Sequence, residues 1–177
     1  MPLTFGGGLK NIDQIAQILL SGADKVVINT EAFVNHNLIN TSAKKFGSQC
    51  IVISIDAKLV NGEYKVFING GKEETKMDVL DWALKAQNLG AGEILINSID
   101  RDGTGEGYDI KLCKLVVNNL SIPTIIAGGV GNIDDFFKGY KEIKPSGLAA
   151  ANIFHFKEHS DQIIKKNLIS NGVNVRI

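Results

Sequence analysis

Residues 2–13 read PLTFGGGLKNID and residues 123–134 read PTIIAGGVGNID. Pro2, Gly7, Gly8, Asn11, Ile12 and Asp13 recur at identical spacing as Pro123, Gly128, Gly129, Asn132, Ile133 and Asp134. An apolar run closed by paired glycines reads as a strand entering a tight turn, and Asn ahead of Ile-Asp can cap the helix behind it. The chain thus writes one strand-turn-helix unit twice, about 120 residues apart.

Along the chain, short runs rich in Ile, Val and Leu occur at 3–5, 25–29, 50–56, 93–98, 124–127 and 147–151. Between them apolar residues fall at helical spacing: Ile12, Ile15, Ile18 and Leu19; Val79, Trp82, Ala83 and Ala86; Ile110, Cys113, Val116 and Val117. Strand alternating with helix predicts an α/β fold with a parallel sheet covered by helices. A closed barrel and a six-stranded open sheet both satisfy that rhythm. A repeat four strand-helix units apart favours a (β/α)8 TIM barrel made of two similar halves. About six units are visible, so the expectation is one partial barrel domain over 1–177, incomplete, with strands three to eight present and an unpaired edge at 3–5.

Composition sets the surroundings. The 177 residues are 44% hydrophobic, enough for one sizeable core, and nineteen basic side chains balance nineteen acidic ones. No basic stripe suggests nucleic acid, no apolar run is long enough for a membrane, and Met1-Pro2 does not begin an export signal. A cytoplasmic protein is expected. Cys50 and Cys113 have no CxxC spacing, so they are expected to be small buried apolar residues rather than a disulfide or zinc ligands.

The doubled glycine turn also suggests chemistry. Backbone N–H groups at a glycine turn, with a helix start behind them, form an anion cradle. Gly8 and Gly129 mark the two turns, and the strand after each ends in a pair that carries a polar amide, Asn29-Thr30 and Ala151-Asn152. Two cradles at one barrel mouth imply a ligand with a phosphate at each end. Between them, SIDAK carries Asp56 at the end of the most apolar strand. Alternation puts Val52, Ser54 and Asp56 on one side, and an inward carboxylate at the mouth is a candidate general acid or base. Asn61-Gly62 behind it signals a hairpin that would overhang the pocket.

INSIDRDGT adds Asn97 and Ser98 as pocket residues, and Asp102 and Gly103 as contacts to ligand hydroxyls or phosphate. Lys25 and Glu93 begin two strands with the same parity as Asn29 and Asn97, which places an opposite-charge pair at the barrel floor. By themselves these residues read as a solvated rim. His36 lies in a polar, loop-like segment, and the HFKEH run holding His155 and His159 lacks a metalloprotease order. No metal, P-loop, dinucleotide fingerprint or other cofactor motif is present.

The segments FGGG, GADKVVINT, FGSQCIVISIDAK, GAGEILINSIDRDGT, GGVGN, IFHF and GVNVR together resemble the cyclase subunit of imidazole glycerol phosphate synthase, across essentially the whole chain. The resemblance implies a (β/α)8 barrel with half-barrel symmetry and a lyase or cyclase of histidine biosynthesis. Its substrate would be a bisphosphorylated ribulosyl aminoimidazole carboxamide nucleotide, attacked by ammonia from a partner glutaminase. Carried over, it makes Asp56 one of two catalytic aspartates, the other lying on a first strand with no counterpart here. The 177 residues alone are then expected to be inactive. Gly8, Asn29 and Thr30 would bind one phosphate; Asp102, Gly103, Gly129, Ala151 and Asn152 would bind the other. Lys25 and Glu93 would belong to the ring through which ammonia enters, overturning their bland reading, and Asp24 to the glutaminase-facing surface.

Three positions depart from the family pattern: Asn97 replaces a usual Thr, and Ala127 and Asn152 each replace Ser. AAANIFHFKEHS at 149–160 is closer to a paralogous branch that works with a glutaminase to make acetamidino sugars for surface polysaccharides. A third possible role is a noncatalytic glutaminase- or phosphate-binding fragment.

Overall fold

The computed structural model describes residues 2–156 and 161–176, without the side chains of 155 and 156; the HFKEH histidines therefore fall outside the described side chains. The elements in order are β1 (Thr4–Gly6), α1 (Ile12–Leu20), β2 (Lys25–Ile28), α2 (Thr30–Val34), α3 (His36–Phe46) and β3 (Ile51–Val60). There follow β4 (Glu63–Ile68), β5 (Glu73–Asp78), α4 (Val79–Asn88), β6 (Glu93–Ser98), α5 (Ile110–Val117) and β7 (Thr124–Ala127). The chain ends with α6 (Ile133–Ile143), β8 (Gly147–Leu148), α7 (Asn152–Phe156) and α8 (Asp161–Ser170).

Six parallel strands run in the order β1-β2-β3-β6-β7-β8, curled as part of a barrel. β4 and β5 are an antiparallel extension of β3 outside that path. β1 and β8 do not pair with each other among the described residues, and Leu3 and Phe5 on the β1 edge are exposed.

Alternation separates the two faces of the sheet. Ile28, Ile51, Ile53, Ile55, Ile94, Ile96 and Ile126 all point outward under the helices and are at most 1% exposed. Each such burial contributes about 2–3 kcal/mol, so truncating one to Ala should cost about 2–5 kcal/mol. Trp82 anchors α4 in this layer with its ring centroid 5.1 Å from that of Phe33. The opposite row of Val27, Ser54, Leu95 and Ile125 is only half-buried, because no facing wall covers it.

The two echoed units have matching geometry. Asn11 caps α1 in extended conformation, its side chain accepting from the Gln14 N–H, and Asn132 caps α6 the same way through Asp135. Gly7, Gly8, Gly128 and Gly129 all have positive φ, from 71° to 108°, which an L-residue adopts only under strain. In sheet order β1 and β7 stand four strands apart, as two equivalent units of a half-repeated barrel should.

Two expectations change in detail. The segment around His36 is helical rather than loop-like, because Leu38, Ile39 and Ser42 bury one stripe of α3 despite its polar sequence. The final strand has two residues instead of five; beyond Leu148 only the Ala149 N–H continues the ladder, to the Ile126 carbonyl. Cys113 is fully buried, as expected, whereas Cys50 is half-buried. Burial, with Asp109 beside it, pushes the Cys113 thiol up to about 12. Alkylation of native protein near pH 8, followed by peptide mapping, should therefore label Cys50 at least about 10²-fold faster than Cys113.

Candidate active site at the carboxyl ends of the strands

Asp56 lies on the inner face of β3 and both of its oxygens accept amide hydrogens. Asn29 Nδ2 donates to Oδ2 at 2.9 Å, and Asn97 Nδ2 donates to Oδ1 at 3.2 Å. Register explains the convergence: Asp56 pairs with Asn97 on β6, and Asn97 with Ala127 on β7, so the carboxylate and the amide stand side by side in one inward row that ends in a small methyl side chain. Asn29 comes from the end of β2 on the other flank, and its side chain is committed to Asp56 rather than open toward a phosphate.

On one side of this carboxylate, Gly7, Gly8, Asn29 and Thr30 line a cleft of about 420 Å³. Nothing lies within 4 Å of where a Cβ on Gly8 would stand, so its backbone is open to a ligand. On the other side Asp102, Gly103, Gly129, Ala151 and Asn152 all border one small niche, of about 20 Å³. That volume holds about one water, so a phosphate would sit at its rim. Gly129 is needed for packing as well, since a Cβ there would strike the Gly107 carbonyl oxygen, and the Gly107 N–H already donates to the Gly129 carbonyl.

Ser98 is placed otherwise than expected. It follows Asn97, so its side chain turns to the helix-facing side, is 1% exposed, and leaves Oγ without a partner; only its backbone reaches the rim. Asn69 is the residue the sequence pattern did not single out. It joins the first cleft from the turn after β4, and its N–H donates to Thr30 Oγ1 at 2.9 Å. The Asn-Gly-Gly run at 69–71 announces a turn but not its neighbour.

The hairpin forms through Asn61 and Gly62, both at positive φ. It is latched sideways, with the Leu59 N–H donating to Asp100 and Tyr64 Oη to the Asp109 carboxylate. Burial and that carboxylate push the Tyr64 phenol up to about 12, so it stays a donor.

At the opposite end of the strands, Lys25 Nζ and Glu93 Oε2 are 2.6 Å apart. They reach across β3, and the Glu93 side chain is 11% exposed against 34% for Lys25. Asp24 beside them accepts the Leu3 N–H and so ties β1 to β2. Among the described residues no three His, Cys, Asp or Glu side chains form a metal cluster, and no helix is long and apolar enough to cross a membrane.

The family described as "Histidine biosynthesis protein" matches residues 1–160. A Hydrogenobaculum protein named imidazole glycerol phosphate synthase subunit HisF is 49% identical over 177 residues, covering 99% of this chain and 70% of that protein. The protein of the same name from Campylobacter concisus is 46% identical, covering 100% and 70% respectively. With nearly the whole chain aligned at that identity, the chain belongs to the histidine-biosynthesis family and, within it, to the HisF subunits of imidazole glycerol phosphate synthase.

Proposed function

We propose that this chain provides the mouth of an ammonia-dependent cyclase. The reaction joins ammonia to a bisphosphorylated ribulosyl aminoimidazole carboxamide nucleotide and releases imidazole glycerol phosphate and the aminoimidazole carboxamide ribotide. The observation that carries the reading is Asp56, held on both oxygens between one cleft lined by Gly8 and Thr30 and one niche lined by Gly103 and Gly129. A carboxylate fixed between two anion cradles can move protons while the two phosphates pin the reacting centre.

The further assignments belong to the same proposal. Residues 1–177 contribute strands three to eight of the barrel and do not turn substrate over alone, since the family's second catalytic aspartate has no counterpart among them. A glutaminase supplies ammonia at the Lys25–Glu93 end, and the complex works in the cytoplasm.

Phosphate binding should divide between the cradles. Gly8→Asp puts a negative charge into open space with a residue that tolerates positive φ, and Asn152→Asp adds a negative charge at the border of the niche. Each should weaken a bisphosphate ligand by about tenfold or more in calorimetry, while inorganic phosphate still binds the untouched cradle. If either change abolished inorganic phosphate binding, or neither affected the bisphosphate, the two-cradle reading would fail. Bulky residues at Gly129 would not serve, because the Gly107 backbone blocks them.

A further inference from the structure

Asn97 sits where two parts of the site meet. Its Nδ2 donates to Asp56 Oδ1 at 3.2 Å. Its Oδ1 lies against the glycine turn of the second cradle, 3.0 Å from where a Cβ on Gly128 would stand. Ala127, its register partner, is small and leaves the amide in place. A primary amide suits both neighbours, with donors for the carboxylate and a carbonyl toward the backbone of the turn.

We infer that Asn97 is a positioning residue for Asp56, fixing the carboxylate plane from the flank opposite Asn29 and holding it in register with the Gly128–Gly129 turn. The inference rests on the cyclase reading. Without Asn97, Oδ1 loses its protein donor and the carboxylate turns more freely about its last bond. A general acid or base displaced by a fraction of an ångström loses rate while the phosphates stay bound.

The test uses an eight-strand protein, in which residues 1–177 are joined to the part of the Hydrogenobaculum relative outside the match, supplied with ammonium salts. Asn97→Asp keeps the shape and the oxygen toward the turn, removes the donor and sets a second carboxylate against Asp56; Asn97→Leu keeps the size and removes the whole amide without adding a charge. Positioning predicts a kcat loss of about 10²-fold for Asp and about tenfold for Leu, with KM for the Leu variant within about threefold. A merely structural amide predicts the reverse order, because Asp is the closer in shape. Equal or reversed losses, or unchanged kcat, would overturn the inference while leaving the cyclase reading intact.

A second measurement needs no turnover. In 15N–1H spectra of the protein, Asp56→Asn should move the side-chain amide signals of Asn97; unmoved signals would show that the contact is absent. An inactive parent protein would contradict the cyclase reading itself, and these spectra would still decide the contact.

Discussion

Asp56→Asn in the eight-strand protein should bind the bisphosphate near normally and lose turnover by about 10²-fold or more. Asn keeps the size of Asp and one acceptor oxygen. Its new NH2 faces an amide donor from Asn29 or Asn97, and that partner can turn its own carbonyl inward, so the row stays satisfied. The cradles do not use the Asp56 side chain, which is why binding should survive. Proton transfer should not, because no amide can accept or release a proton at neutral pH. Turnover of the Asn variant within a factor of a few of the parent would leave Asp56 a structural acceptor for two amides.

Substitution at the floor should separate two nitrogen sources. Lys25→Met or Glu93→Gln should cut glutamine-dependent turnover, measured with the glutaminase present, by about 50-fold, with turnover on added ammonium salts within about threefold. The 2.6 Å pair lies at the ends of the strands away from Asp56, so its removal leaves the mouth untouched. In the proposed function, ammonia in solution enters at the mouth, whereas ammonia made by the glutaminase passes this pair. Glu93 is the more confined of the two, so Lys25→Met strands a nearly buried carboxylate and should also lower stability. Equal loss with both nitrogen sources would make the pair a structural bridge between β2 and β6.

The fold was legible because its information lies in short range. Period-two alternation fixed which side of β3 and β6 faces inward, and Asn11 and Asn132 announced two helix starts that the structure builds alike. The same alternation, applied to Asn97, should have removed Ser98 from the pocket. α3 was obscured because its buried stripe is completed by Ser42 and not by a third large apolar residue. The hydrogen bonds that organise the site are long-range in sequence, Asn29 to Asp56, Asn97 to Asp56 and Asn69 to Thr30, and pattern alone does not pair such residues. The doubled glycines pointed to two cradles, but the tight approach of Gly107 to Gly129 shows that one of those glycines also serves packing.

Product analysis with the eight-strand protein, ammonium salts and the bisphosphorylated nucleotide decides whether this chain serves a cyclase. Imidazole glycerol phosphate and the carboxamide ribotide should appear together in equal amounts, and Asp56→Asn should stop both. A polypeptide of residues 1–177 alone should form neither. Failure of the eight-strand protein to form either product, or amidation of a sugar in their place, would contradict the cyclase function.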